Sequence, residues 1–264
     1  LFADDDFGAQ EKLDGKRIVL VLEKSGKIYG VNRTSLKCGI PATFEKAVQS
    51  LADSCREFFQ TTIESLQIDG EAIGEDFAAF DLLELNGEDF RRQPFAKRWE
   101  RLNRIVNAGG TASKIPHLLC VGLEKGERNK KELFEQLKNR NAEGIVFKKL
   151  NAGYEAGRPA SGGTQLKFKF CAEATCQVAG QNGAKRSIGL QVFDPQGNLL
   201  DIGNCTIPAN FSIPPIGSMV EIRYLYAYPN GSLYQPVYKG ERSDKQTPDF
   251  YQSLKFKAEA AQTS

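Results

Sequence analysis

In the first two-thirds of the chain, hydrophobic and polar positions follow a strand-type pattern in some segments and a helical spacing in others. This predicts a mixture of strands and helices. Runs that alternate or are wholly apolar, bounded by a Ser-Gly turn, are typical of paired strands, and apolar residues at helical spacing predict amphipathic helices. Strands are predicted at residues 17–23 and 27–31, and helices at 43–60, 91–106 and 128–140.

From about residue 174 the pattern changes to short strand-like runs separated by Gly, Pro and Asn. These runs cover residues 175–179, 188–193, 199–202, 219–226 and 233–238. Several short strands with turn signals between them predict a small barrel, for which the five-stranded OB-fold is a good candidate. We therefore expect a first domain over residues 1–171 and an all-β domain over 172–264.

Composition narrows the functional classes. The chain is 41% hydrophobic and 26% charged, as in an ordinary soluble protein, and its net charge of +2 gives no argument for nucleic-acid binding from bulk charge alone. Its longest apolar run, residues 18–22, is too short to cross a bilayer, and no signal segment opens the chain. We expect a cytoplasmic protein with no membrane partner.

Cysteine and histidine content disfavours two kinds of site. The six cysteines form no Cys-x-x-Cys pair, and the chain contains a single histidine. A zinc site and a histidine-based triad are therefore both disfavoured, and reduced buried thiols are the simpler interpretation.

The segment 11–17, Glu-Lys-Leu-Asp-Gly-Lys-Arg, carries a candidate nucleophile in Lys12. A lysine attacks phosphorus only as the neutral amine, and neighbouring cations or a bound metal favour that form. Gly15 would allow a tight turn directly after the lysine. Taken alone, the segment is equally compatible with a solvated charged turn before a strand.

Two acidic segments could bind a metal or a ribose. Strand alternation places Asp69 and Glu71 on one face, with Gly70 allowing close approach. Glu143 precedes a short apolar strand, where a carboxylate needs Mg²⁺, a hydroxyl or a lysine as its partner. A carboxylate at the edge of a turn is the alternative.

Lys148, Lys167 and Lys169 are further charged residues on predicted strands. Lys167 and Lys169 share one face of an alternating strand, where they could bind a phosphate or face solvent. Strict alternation would place Glu143 and Lys148 on opposite faces, unless the strand bulges at Gly144.

Two further features have open interpretations. Phe80 fits either the core or a platform for a purine base. The Gly-rich stretch 157–163 could hold a phosphate, but it lacks P-loop spacing, and a connection between two strands is favoured.

In this order, the segments resemble the covalent nucleotidyltransferase superfamily, and within it the small ATP-dependent DNA ligases. The matches to the six motifs of that family are Lys12-x-Asp14-Gly15-x-Arg17, Asp69-Gly70-Glu71, Phe80-Asp81, Glu143-Gly144 with Lys148, Lys167-x-Lys169, and Arg242-x-Asp244-Lys245.

The resemblance implies an α+β fold, in which a nucleotidyltransferase (adenylation) domain of antiparallel sheets with helices is followed by an all-β OB-fold domain. It implies that Lys12 is the catalytic residue and forms the covalent lysyl-AMP. It implies a nucleotide site formed by Glu11, Arg17, Glu71, Phe80, Glu143, Lys148, Lys167, Lys169, Arg242 and Lys245. Glu71 and Glu143 would bind Mg²⁺ or Mn²⁺, and Arg17 and Arg33 would contact DNA.

By the same resemblance the substrates are ATP and nicked double-stranded DNA, and the protein acts as a monomer. Surface contacts to DNA phosphates are expected from the basic pairs at 91–92, 97–98 and 148–149. An RNA ligase is the main alternative. A capping guanylyltransferase, for which Asp rather than Glu143 is expected, and a non-catalytic OB protein are weaker alternatives.

Overall fold

The structure, a computed structural model, describes residues 1–108, 114–156 and 162–257. Most of the Gly-rich stretch considered above, residues 157–161, lies outside the described residues. Among the described residues, none of the helices is both long and apolar enough to span a membrane.

The chain as far as residue 169 is a mixture of strands and helices. The strands are β1 (Phe7–Lys12), β2 (Lys16–Leu22), β3 (Ile28–Asn32), β4 (Lys37–Cys38), β5 (Leu66–Ile73), β6 (Asp76–Leu85), β7 (Glu88–Asp89), β8 (Leu118–Cys120), β9 (Gly144–Lys149) and β10 (Gln165–Lys169). The helices are α1 (Ala42–Phe59), α2 (Phe95–Val106) and α3 (Glu127–Asn139).

Two sheets organise this part of the chain. The larger has the antiparallel order β4-β3-β2-β5-β6-β7, with β8 added parallel to β6, and the smaller has the order β1-β9-β10. One face of the larger sheet forms the core with α1 and α2, through residues such as Leu20, Ile68, Phe44 and Leu102. Because side chains alternate along a strand, the polar residues between these apolar positions point to the opposite face.

Helix α2 begins later than its pattern predicts. The sequence predicts a helix from residue 91, whereas the structure has it begin at Phe95, directly after Pro94. A proline disfavours helical geometry in the residue before it and is well suited to the start of a helix. The prediction was wrong by four residues because it followed the charged residues that precede Pro94 and did not stop at the proline.

The chain from residue 172 onward is an OB-type barrel, as predicted. Its strands are β11 (Ala172–Gln181), β12 (Ser187–Phe193), β13 (Leu199–Thr206), β14 (Met219–Tyr224), β15 (Tyr226–Ala227), β16 (Leu233–Tyr234) and β17 (Val237–Glu241), followed by a 3-10 turn (Tyr251–Ser253). The main sheet has the order β13-β12-β11-β14-β17, and contact between β13 and β17 closes it. Val178, Leu190 and Ile222 are among the residues that fill its core.

Two strands predicted as continuous are interrupted in this barrel. The run 219–226 divides into β14 and β15, and the run 233–238 divides into β16 and the start of β17. Gln235 lies at the second break with a φ of 53°, and Pro236 follows it. Neither a left-handed residue nor a proline fits the middle of a sheet strand.

The chain forms two compact units. The first contains Leu1–Gln136 and Gly144–Phe168, and the second contains Leu137–Glu143 and Lys169–Ser264. A short segment before β9 therefore groups with the barrel. A functional division at residue 171 stays a prediction.

Candidate active site

A cleft in the first unit contains Lys12 and most of the residues expected around it. It is partly open to solvent. Its lining residues are Gln10, Glu11, Lys12, Leu13, Arg17, Glu71, Phe80, Val146, Lys148, Gln165 and Lys167. An aromatic ring and several charged side chains thus face one concave site, as is typical of sites for small polar ligands.

Lys12 reaches the cleft from the end of β1. It pairs with Gly144 in the antiparallel β1–β9 ladder, whose register runs without a shift from Phe7↔Lys149 to Lys12↔Gly144. The bulge at Gly144 that the sequence left open is therefore not present in this ladder. Alternation instead places Val146 and Lys148 together on the cleft side of β9.

The turn after Lys12 requires glycine. A Cβ atom on Gly15 would overlap the carbonyl oxygen of Ala72 and would lie 2.9 Å from the Cγ atom of Glu71. A larger residue would push β2 away from β5. Glycine at this position therefore allows Lys12 and Glu71 to line one cleft.

Arg17 is held by two partners beneath the cleft. Its Nε and Nη2 atoms donate to the two carboxylate oxygens of Asp69 at 3.0 and 2.6 Å, and Asp69 is fully buried. The Tyr154 hydroxyl donates to Asp69 Oδ2 at 2.9 Å and lies 3.2 Å from Arg17 Nη2. Burial alone would lower the pKa of Arg17, but the hydrogen bonds and the charge of Asp69 outweigh burial and raise that pKa.

Phe80 lies at a β-bulge beside the cleft. Strands β5 and β6 pair Asp69 with Asp81 and Gly70 with Ala79, so Phe80 is an extra residue. Ala79 and Leu82 lie in the core, whereas Phe80 lines the cleft. Alternation from Ala79 already directs Phe80 away from the core, and the extra residue is what returns Leu82 to the core. The pattern of the sequence gave no signal for this bulge.

The pair Asp81–Arg98 lies next to the cleft and is buried. Arg98 Nε and Nη2 donate to Asp81 at 2.7 and 2.9 Å, and each side chain is 2% exposed. Arg98 also donates to the carbonyl of Ala152 at 3.0 Å. The expectation that Arg98 belongs to a basic surface strip is therefore wrong, because a carboxylate in the interior needs a cation beside it.

Lys148 is also buried, so the expectation of a basic surface pair at 148–149 is wrong for Lys148. Lys148 is 6% exposed, whereas its neighbour Lys149 is exposed. Burial lowers the pKa of Lys148 to about 8, despite the opposing charges of Asp81 and Asp69.

Four of the expected nucleotide-site residues belong to the second unit. Lys169 forms an ion pair with Glu143 at 3.0 Å. Arg242 pairs with Asp244 at 2.8 Å and with Glu221 at 2.9 Å, and Lys245 lies in the same surface depression as Arg242. Their participation in one site with Lys12 stays a prediction.

The described residues contain no group of three or more His, Cys, Asp or Glu side chains able to hold a metal ion. A magnesium ion at a nucleotide site commonly uses one or two carboxylates together with substrate phosphates. Glu71 in the cleft fits that smaller donor set. The assignment of Glu71 and Glu143 as metal ligands stays a prediction.

Several lining residues were missed by sequence reasoning. They are Gln10, Leu13, Val146 and Gln165. Tyr154, which donates to Asp69 beside Arg17, was missed as well. Alternation along β9 and β10 could have identified Val146 and Gln165 from their neighbours Lys148 and Lys167. Tyr154 lies after β9 without a periodic pattern, so no local signal identified it.

Gly70 allows the close pairing of β5 and β6 at the cleft. A Cβ atom there would overlap the ring of Phe77 and would lie 2.7 Å from the carbonyl oxygen of Ala78. We expect Gly70→Ala to lower the free energy of unfolding by about 1–3 kcal/mol, because neither neighbour has room to move. Urea denaturation measures this change. Gly39→Ala is the matched control, since nothing lies within 4 Å of a Cβ there, and equal effects of both changes would contradict the steric argument.

This arrangement defines a class of fold: a first unit of antiparallel sheets and helices with a lysine-containing cleft, and a second unit that is an OB-type barrel. Residues 75–169 match the model of the ATP dependent DNA ligase domain. The DNA ligase of Nanoarchaeum equitans is 29% identical over 133 residues, which cover 47% of this chain and 23% of that ligase. The chain therefore spans only a small part of that curated relative.

Solved ligase structures share the fold. A Lig E DNA ligase, described as binding DNA with a minimal scaffold, is 21% identical to this chain. The match covers 90% of this chain and 93% of the ligase chain, with a TM-score of 0.56. The ligase domain of Mycobacterium tuberculosis LigD is 18% identical over 94% of this chain and 92% of its own, with a TM-score of 0.50. The resemblance to the ATP-dependent DNA ligases is thus confirmed in sequence and in fold.

Proposed function

We propose that this protein is an ATP-dependent DNA ligase that seals nicks between a 5′-phosphate and a 3′-hydroxyl. The observation that carries the proposal is the convergence of Lys12, Glu71, Phe80, Lys148 and Lys167 on one cleft from five different strands. A nucleophile, a carboxylate, an aromatic ring and cations are the groups that nucleotidyl transfer requires. The match to the ligase domain supports DNA as the substrate.

The reaction proceeds in three displacements. The neutral amine of Lys12 attacks the α-phosphorus of ATP, a P–N bond forms, the P–O bond to pyrophosphate breaks, and the amine releases a proton. An oxygen of the 5′-phosphate at the nick then attacks the same phosphorus, and the P–N bond breaks to give a DNA-adenylate. Finally the 3′-hydroxyl attacks the 5′-phosphate, a phosphodiester forms, and AMP leaves.

The residues of the chain supply positioning and charge. Phe80 stacks on the adenine, Glu71 and Glu143 bind ribose and metal, and Lys167 with Lys169 neutralises the α-phosphate. Arg242 and Lys245 orient the pyrophosphate during the first step. A bound Mg²⁺ would supply positive charge at the phosphates. Such groups act by placement and electrostatics and need little covalent chemistry of their own.

The direct test is sealing of a 5′-phosphorylated nicked DNA duplex with ATP and Mg²⁺, beside a matched nicked RNA duplex. We expect DNA to be sealed far faster than RNA. Sealing confined to RNA would move the protein to the RNA ligases, and sealing of neither duplex would overturn the proposal. We also propose that the protein acts as a monomer in the cytoplasm. Light scattering of the active protein tests its monomeric state.

We propose that Arg33 contacts DNA outside the nucleotide cleft. It is exposed in the turn between β3 and β4, which the Asn32 side chain orders by accepting from the backbone of Thr34 at 2.9 Å and of Leu36 at 3.0 Å. We expect Arg33→Ala to weaken nick binding and to reduce the slope of log affinity against log salt by about 1, because one phosphate contact is lost.

Filter binding over a salt series measures both quantities. Arg56→Ala is the matched control, since Arg56 is an exposed arginine on α1 that pairs with Asp53. Formation of the Lys12 adduct from ATP should be unaffected by either change. An unchanged salt slope in Arg33→Ala would show that Arg33 does not contact a DNA phosphate.

A further inference from the structure

Lys148 contacts two aromatic rings in the interior of the first unit. Its Nζ atom lies 4.3 Å from the centroid of Phe80 and 4.6 Å from the centroid of Phe95. The side chain is 6% exposed, so water screens these contacts little. An ammonium over an aromatic ring is attracted by the ring quadrupole, most strongly where both are desolvated.

The carboxylates near Lys148 are already bound to other cations. Asp81 is in bidentate contact with Arg98, and Asp69 is in bidentate contact with Arg17. In the described part of the chain, Lys148 itself has no ion pair with a carboxylate. The contacts of its ammonium are therefore with the two aromatic rings.

The position of the ammonium determines which face of Phe80 is accessible. Two cations lie over the ring, Lys148 Nζ at 4.3 Å and Arg17 Cζ at 5.8 Å from its centroid, so Lys148 is the closer. A planar base that stacks on Phe80 must use the face that the Lys148 ammonium does not cover. Phe80 also lies at a bulge in β6, where it has no partner residue in the β5–β6 ladder. The ammonium of Lys148 is therefore a contact that holds the ring in place.

We propose that Lys148 is a positioning residue that acts through Phe80: its ammonium holds the ring so that the opposite face receives the adenine of ATP. The inference rests on the proposed function and deepens it, because it assigns Lys148 to recognition of the base and not to binding of phosphate. Loss of the charge should therefore weaken the binding of any adenine compound, with or without phosphates.

The two roles predict different ligand dependence. Adenosine reports on the base, and inorganic tripolyphosphate reports on the phosphate subsite. In Lys148→Met, which keeps the length of the side chain and removes its charge, we expect adenosine to bind roughly tenfold more weakly and tripolyphosphate to bind unchanged. Lys148→Arg should restore most of the affinity for adenosine. Lys149→Met is the matched control and should change neither.

Titration of each ligand by NMR or calorimetry on the full chain measures these affinities. Weaker binding of tripolyphosphate with unchanged binding of adenosine would make Lys148 a phosphate ligand and overturn the proposal. Unchanged binding of both ligands would overturn it as well. Formation of the Lys12–AMP adduct by the unmodified protein is measured first. If no adduct forms, the proposed function itself is wrong.

A pH series on the unmodified protein tests the same inference without depending on a foldable Met variant. The groups that act on Lys148 are Asp81, Asp69, Arg17, Arg98 and the Cys120 thiol. Burial raises the pKa of Cys120 to about 12, and the Arg17 pKa is raised, so neither titrates near neutrality.

Because the pKa of Lys148 is lowered to about 8, its charge is present below that pH and is lost as the pH rises through it. The affinity for adenosine should therefore fall between about pH 7 and about pH 9.5 in the unmodified protein, and it should stay flat in Lys148→Arg, which keeps its charge throughout. Equal pH dependence in both proteins would overturn the proposal.

Discussion

Lys12→Ala is expected to abolish the covalent AMP adduct and to reduce sealing with ATP by roughly 10³-fold or more, as when a covalent nucleophile is removed. The physical reason is that the first displacement forms the P–N bond to the amine of Lys12, which alanine lacks. The same variant should still seal a nick whose 5′-phosphate is already adenylated, because that substrate bypasses the first displacement. Intact-protein mass spectrometry and denaturing gels measure the two outcomes.

Lys16→Ala is the matched control, since Lys16 is an exposed lysine of the same segment at the start of β2. It should form the adduct and seal nicks at rates close to those of the unmodified protein. An adduct on Lys12→Ala protein would show that the nucleophile is another residue. Failure of Lys12→Ala to seal the adenylated nick would show that Lys12 is also needed after the first step.

Arg98→Ala is expected to lower the free energy of unfolding by about 3–5 kcal/mol. The change leaves the carboxylate of Asp81, which is 2% exposed, without its bidentate partner, and it also removes the donor to the Ala152 carbonyl. Truncation of one partner in a buried pair is costly because the other charge remains in a medium of low polarity. Urea denaturation followed by circular dichroism measures the loss.

Arg128→Ala provides the comparison. Arg128 pairs with Glu132 on α3, but its side chain is 88% exposed. Pairs of this kind contribute at most about 1 kcal/mol, since water screens the charges. If the two variants lose equal stability, the Asp81–Arg98 pair does not have the role that its burial assigns to it.

Most of the secondary structure could be predicted from the sequence because its causes are local. The helical spacing over 43–60 gave α1, and the turn-separated runs after residue 174 gave the strands of the barrel. The errors also have local causes. Pro94 sets the start of α2, and Gln235 with Pro236 interrupts a strand, and both effects were readable from the residue types.

The candidate site was predictable as a set of residues but not as an arrangement. The ordered motifs identified Lys12, Glu71, Phe80, Lys148 and Lys167, which the structure brings together in one cleft. The burial of Arg98 and Lys148 was not predictable, because charged pairs in a sequence look the same whether they face solvent or a buried carboxylate.

The sequence by itself determined which chemical groups this protein contains and many of the strands and helices around them. It did so because motif spacing, alternation and turn residues depend on neighbours along the chain. Only the tertiary structure decided that β6 bulges at Phe80 and that the ammonium of Lys148 lies over the Phe80 ring. It also brought Tyr154 to Asp69 across 85 positions of sequence. These features depend on strand register and on packing between distant segments, which no local pattern encodes.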